Sequence, residues 1–282
     1  MKKWMKATVL LMVVSMFAML LGACGSSSKS GAAKSEGNTL EQVKKKGVLV
    51  VGSSNDAPFA FIDKDTKEFT GIDAEIIKEI AKRLGIKKVE MKEIKFENLL
   101  LELNKKSVDL VTDGMYVKPE REKVAKFTDI WYKEGEAILV GKDSTVKSVD
   151  DLKGKVVGAQ KGQSFLELAQ KWKSEGKVKD VKIFGGQSEL MLAIKTKKVD
   201  AVVGDGALAA YAIKTDKSLG IKMVSPYTPV DAGKIAAAGR KNDTSLVDAV
   251  NKELAAMKED GTVLKILEKY GLSKDYYFPG KN

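Results

Sequence analysis

The stretch GIDAEIIKEIAKRLG, residues 71–85, decides the fold. It sets Ile76, Ile77, Ile80, Ala81 and Leu84 at helical spacing, with Lys and Glu on the other face and Gly85 to end the run. A helix with a single apolar face covers a neighbouring layer, so the flanking segments tell what it covers. Upstream, Val48-Leu49-Val50-Val51 is wholly apolar and rich in β-branched residues, the pattern of a strand buried on both faces. Downstream, residues 89–94 read as a second strand, 97–103 as a second helix and 108–111 as a third strand. Strand–helix alternation of this kind predicts a parallel sheet in an α/β architecture. The polar run 63–68, after Phe59-Ala60-Phe61-Ile62, predicts a hairpin-like turn.

A second series follows Gly135. Residues 137–140, 155–158, 181–184 and 201–203 read as strands, and 149–152, 165–171, 188–196 and 208–213 as helices. After a short apolar strand at 235–239, helices at 245–257 and 263–270 are expected to return to the first lobe. Two segments therefore cross between lobes, near 131–136 and near 227–234, which is the layout for hinge closure over a cleft. The expected organisation is a signal peptide at 1–23, a tether at 24–38, lobe 1 at 39–133, lobe 2 at 134–230 and a return segment at 231–282.

The N-terminus carries Lys2, Lys3 and Lys6 ahead of an uncharged apolar stretch, residues 7–21. At about 15 residues that stretch falls short of the roughly 20 needed to span a bilayer, so it reads as a secretion signal. Leu21-Gly22-Ala23-Cys24 resembles a bacterial lipobox, which implies lipidation of Cys24 and anchoring to the outer side of the cell membrane. Cys24 is the single cysteine, so no intramolecular disulfide forms. Residues 25–38 are Gly, Ser, Ala and Lys for the most part and cannot bury a core.

The 282 residues contain no histidine, which removes His-containing triads, Cys–His dyads and zinc sites of His and Cys. A formal charge of +11 raises the question of nucleic acid, but the basic residues are interleaved with Asp and Glu and form no dense run. No nucleic-acid partner, metal or cofactor is expected. A lysine-rich surface facing an anionic envelope accounts for the charge.

Further motifs occur in a fixed order: Phe96 with Asn98-Leu99-Leu100, Val108-Asp109-Leu110, Gly114-Met115-Tyr116-Val117-Lys118-Pro119-Glu120-Arg121 and Phe127-Thr128. Asp151-Leu152-Lys153-Gly154-Lys155-Val156-Val157-Gly158, Val199-Asp200-Ala201-Val202-Val203 and Asp260-Gly261-Thr262 complete the series. Together with residues 71–85 they make the chain resemble, end to end, the family 3 extracellular solute-binding proteins of polar amino-acid ABC importers. The resemblance implies a periplasmic-binding-protein-like type II fold: two α/β lobes, a two-strand hinge and a ligand cleft between them. It also implies a monomer that delivers a small zwitterion to an ABC permease and is no enzyme.

By the same resemblance Arg121 clamps the ligand's α-carboxylate, for which a planar guanidinium fork is suited. Asp205 holds the α-ammonium, or else caps the helix that follows. Gln160, Gln163 and Ser164 lie where backbone amides at a helix start meet the carboxylate, with Ser164 alternatively a plain N-cap. Phe59, Phe96 and Tyr116, with Asp56, would form a cage for a cation, or pack as core. Asp113 borders the pocket beside Gly114. This combination is similar to the ectoine-binding branch of the family, whereas the acids Asp113 and Asp205 point to an amino acid or a second positive group. The rival reading is a cell-envelope dehydratase of cyclic carboxylates, which needs a general acid of raised pKa; opposing cations are expected to hold Asp56 and Asp113 low.

Overall fold

The computed structural model describes residues 38–272 and 274–280, so the signal segment, Cys24 and nearly all of the tether lie outside the described residues. Asn38, assigned to the tether by composition, caps the first helix by accepting the Glu41 N–H at 3.0 Å. That helix, α1 (Thr39–Lys46), leads into β1 (Val48–Ser53), the hairpin β2 (Phe61–Ile62) and β3 (Phe69–Thr70), and α2 (Ile72–Arg83). Next come β4 (Lys88–Glu93), a 3-10 turn at Phe96–Asn98, α3 (Leu99–Asn104), β5 (Leu110–Val111), α4 (Pro119–Glu122) and β6 (Ala125–Phe127). The chain then runs through β7 (Tyr132–Glu134), β8 (Glu136–Gly141), β9 (Val156–Gln160), α5 (Ser164–Ser174), β10 (Asp180–Phe184) and α6 (Gln187–Lys195). It ends with β11 (Ala201–Asp205), α7 (Gly206–Thr215), β12 (Ile221–Met223), β13 (Gly233–Ile235), β14 (Ala238–Arg240), α8 (Ser245–Glu259) and α9 (Thr262–Lys269).

Two five-stranded sheets result, ordered β4-β1-β5-β14-β6 and β10-β9-β11-β8-β12. In the first, β1 pairs in parallel with β4 and β5, as the strand–helix alternation requires, and β14 returns antiparallel beside β5. In the second, β9 is parallel to β10 and β11, while β8 and β12 are antiparallel. The expected strand over 108–111 is reduced to Leu110–Val111 because Asp109 takes over a ladder bond: its carboxylate accepts the Val50 N–H at 3.0 Å. Asp200 repeats the device in the second sheet, accepting the Val156 N–H at 2.7 Å. One Val-Asp motif thus starts a central strand in each half.

The Ile76, Ile77 and Ile80 face of α2 is fully buried, as its spacing demands. On the other side of the first sheet, Leu99 and Leu103 of α3 pack with Val108, Val111, Phe127 and Ala238. Helices on both faces leave the strand ends as the free surface of each sheet. The carboxyl ends of β1, β5, β9 and β11 carry the loops that meet across the cleft, where α/β sheets bind ligands. Between the sheets, β7 and β13 form a two-stranded antiparallel ribbon with Glu134 opposite Gly233.

Candidate functional site

Four loops and the 3-10 turn that carries Phe96 deliver the site. The loop after β1 brings Ser53, Ser54 and Asp56; the one after β5 brings Asp113, Gly114, Tyr116 and then Arg121 on α4. The loop after β9 brings Gln160, Gln163 and Ser164, and the end of β11 brings Asp205. Phe96, Gly114, Tyr116, Arg121, Gln163, Ser164, Phe165 and Asp205 surround one cavity of about 10 Å³. That is room for about one water, so the lobes here are drawn together.

Arg121 sits on the closing seam. One guanidinium nitrogen donates to the Tyr116 carbonyl at 2.8 Å and another to the Gly162 carbonyl, on the opposite lobe, at 2.9 Å. Its carbon lies 5.5 Å from the centre of the Phe96 ring, a cation–π distance. Burial lowers its pKa, against Glu120, Glu167 and Asp205, which raise it. Two ion pairs cross the same seam, Lys161 to Glu97 at 3.0 Å and Lys118 to Glu167 at 2.6 Å. Gly162 is at the tightest approach: its φ is +84°, and a Cβ there would come 2.9 Å from the Glu97 Cα.

Asp205 occupies the cap position of α7 yet makes no capping bond with its side chain. Its Oδ2 accepts from the Gln163 amide at 3.2 Å, so it faces the cleft rather than its helix. Ser164 is the first residue of α5, and its buried hydroxyl has no partner; Gln163 takes the cap position, without a side-chain capping bond. Gln160 is fully buried with both amide atoms unpartnered.

The structure does not gather the aromatic cage as a unit. Phe96 and Tyr116 line the cavity, whereas Phe59 is core, 1% exposed, with its ring against Gly114. A Cβ on Gly114 would fall 2.8 Å from that ring, and its φ of +59° independently favours glycine. Tyr116 donates its hydroxyl to Glu134, 2.9 Å away, and meets the Phe165 ring edge-on at 5.5 Å.

Asp56 and Asp113 also lie outside the cavity lining, behind Gly114, where they share Ser54: its hydroxyl is 2.8 Å from the Asp56 Oδ2 and also bonds the Asp113 Oδ2. The expectation that opposing cations keep these two acids low is overturned. Burial pushes Asp56 up to about 6, and burial followed by the Asp56 charge pushes Asp113 well above its ordinary range; no cation is among the groups that act on either.

Sequence reasoning missed Glu134 and Phe165. Glu134 is buried in β7; its carboxylate accepts from the Ala207 N–H at 2.9 Å as well as from Tyr116, and burial raises its pKa to about 7. Asp205, adjoining it, is raised well above normal by burial and then by the Glu134 charge. The signal was present in Tyr132-Lys133-Glu134, whose strand alternation buries the first and third side chains. Among the described residues, no group of His, Cys, Asp and Glu is arranged to hold a metal, and no helix is long and apolar enough to cross a membrane.

Residues 49–273 match the family described as bacterial extracellular solute-binding proteins, family 3. The chain is 34% identical over 271 residues to the arginine-binding extracellular protein ArtP of Bacillus subtilis (strain 168), covering 96% of this chain and 98% of that protein. It is 33% identical over 263 residues to the L-cystine-binding protein TcyA of the same organism, covering 93% and 95%. Among solved structures, an ancestral arginine-binding protein bound to arginine superposes with a TM-score of 0.72 at 36% identity, over 80% of this chain and 98% of that one. An ancestral amino acid-binding protein, a precursor of cyclohexadienyl dehydratase, superposes with a TM-score of 0.73 at 33% identity, over 82% and 99%.

Proposed function

Because the chain belongs to the bacterial extracellular solute-binding proteins, family 3, we propose that it captures a small zwitterion by hinge closure and hands it to an ABC permease. On this reading it is monomeric and held outside the cell membrane by a lipid on Cys24. Arg121 receives the ligand carboxylate, Asp205 its ammonium, and Phe96 and Tyr116 flank the rest. The single observation that carries the reading is the position of Arg121, whose guanidinium already bonds a carbonyl on each lobe. A carboxylate entering there takes charge-assisted bonds from Arg121 in place of the Gly162 carbonyl, and with its ammonium on Asp205 the ligand then bridges both lobes, so it favours the closed state and shifts the open–closed balance.

An amino acid is the first ligand class. An ectoine-like cyclic amidinium carboxylate is the second, supported by the aromatic pair at the cavity wall. The dehydratase alternative draws on the raised pKa of Asp113 and on the dehydratase precursor among its structural relatives. A thermal-shift screen of the purified chain against amino acids, ectoines, betaines and polyamines tests the reading. At a hundredfold excess over Kd a true ligand adds about 2.7 kcal/mol of stability. The expected result is a raised Tm with a zwitterion and no turnover; consumption of a cyclic carboxylate would establish the enzyme.

A further inference from the structure

The family match ends at residue 273, yet the chain beyond it is built into the hinge. Lys274–Tyr276 form a short 3-10 turn, and Tyr277 then pairs in antiparallel fashion with Tyr132 of β7. Tyr132 pairs on its other side with Ile235 of β13, and Ile235 in turn with Tyr116. The ribbon between the lobes is therefore four backbones wide at this level: the cleft wall at Tyr116, β13, β7 and the C-terminal tail. Paired strands lie side by side about 4.8 Å apart, so the cleft wall and the tail occupy opposite edges of the ribbon.

The tail is tied to lobe 1. Lys258 of α8 donates to the Ile130 carbonyl at 2.6 Å and to the Gly280 carbonyl at 2.7 Å, and the Tyr277 hydroxyl donates to the Lys258 carbonyl at 3.2 Å. The centre of the Phe278 ring lies 5.2 Å from the Lys234 ammonium of β13 and 5.5 Å from that of Lys258, cation–π contacts that hold the ring between hinge and helix. Toward lobe 2 the tail meets open space. Tyr276 shares the wall of a cavity of about 420 Å³ with Ala137, Gly206, Met223 and Tyr227, all of lobe 2. Beside that cavity the two crossing segments touch: a Cβ on Gly135 would fall 2.7 Å from the Pro229 Cβ. The pivot is thus tight, the cleft on one side of it is shut, and the room for lobe 2 to swing into lies on the tail side.

We propose that residues 274–280 are a strap across the back of the hinge, with Tyr276 as the stop against which lobe 2 comes to rest when the cleft opens. The proposal rests on the lobes moving about this ribbon. Opening carries lobe 2 away from Arg121 and, on the other side of the pivot, toward Tyr276, so the size of the side chain at 276 sets how far the cleft opens. A ligand has to draw the lobes back from that limit. The strap therefore sets part of the free energy of closure, and with it the ligand affinity, from the edge of the ribbon that faces away from the ligand.

Spin labels at Leu101→Cys on α3 and Lys171→Cys on α5, in the purified ligand-free chain with Cys24→Ser, read the separation of the lobes by double electron–electron resonance. Leu101 is 52% exposed and the Lys171 side chain 69%, so neither label enters the core. Tyr276→Ala should lengthen the mean separation and broaden its distribution, and Tyr276→Trp should shorten and narrow it. Opposite shifts from one position are what a stop requires; a side chain that only stabilised lobe 1 would not give them. Phe278→Ala, which loosens the anchor and leaves Tyr276 in place, should shift the separation in the same direction as Tyr276→Ala. If the parent chain opens but neither substitution at 276 moves its distribution, or both move it the same way, the strap is overturned and hinge closure stands. If the parent and every variant show only the closed separation of this structure, the strap and the hinge motion fall together.

Discussion

The two walls of the cleft are built on opposite terms. On the first-sheet wall the acids have partners from their own lobe: Asp73 holds Gly114 and Tyr132, Asp113 holds Ser53 and Ser54, and Asp56 holds Ser54. On the second-sheet wall the neutral groups do not: Gln160, Ser164 and Gln187 each bury a polar atom without a partner. Buried polar groups are ordinarily paired, and leaving one unpaired costs about 1–3 kcal/mol. The acids of the first wall are thus held by their own lobe, although Thr112 and Glu97 there also bury an unpartnered oxygen, whereas on the second wall it is the neutral side chains at the strand and helix ends that lack partners. Within the second wall Gln163 still bonds Asp205 at 3.2 Å, so a group that reaches Asp205 competes with that one contact, while Gln160 and Ser164 are open to a partner.

Four measurements break or sharpen this contrast. Arg121→Ala should cost about 2–5 kcal/mol of ligand affinity in calorimetry, since it removes the cation that a carboxylate needs on burial. pH comes next. Burial pushes Asp56 and Asp73 up from 3.8 to about 6 and Glu134 from 4.5 to about 7. Each holds its proton to higher pH when folded than when unfolded, so folding takes up protons in this range. Ligand-free stability should therefore fall as pH rises from about 4 to about 7, by on the order of 3 kcal/mol per fully shifted group, as read by urea unfolding. A flat profile would mean that the carboxyls of the cleft are not desolvated. Asp73→Ala should cost about 1–3 kcal/mol of stability by orphaning the Gly114 N–H and the Tyr132 hydroxyl, and it tests the first wall alone. Smallest is Gln160→Leu: unfolding free energy should change by less than about 1 kcal/mol, because the amide it removes has no partner, while ligand affinity drops.

Much of this was legible along the chain. The helix at 72–83 and the Val48–Val51 strand follow from periodicity, and Arg121 from the motif that ends Lys118-Pro119-Glu120-Arg121, where Pro119 starts the short helix that carries it. Less visible was Phe59, which has the composition of a ligand wall but packs under Gly114. Glu134 was hidden for a different reason: its importance comes from Tyr116 and Ala207, 18 and 73 residues away in sequence. Local pattern carries no record of such partners.

By itself the sequence determined two α/β halves, the parallel pairing of their leading strands and the residue types at the strand ends, because periodicity and β-branching act over a few residues. Only the tertiary structure decided which of those residues meet. It put the Arg121 guanidinium between two lobes, turned Asp205 away from its own helix, and buried Asp56, Asp113 and Glu134 without a cation. Protonation depends on what surrounds a group in three dimensions, and apart from Ser54 beside Asp56 the hydrogen-bond partners of these acids come from distant parts of the chain.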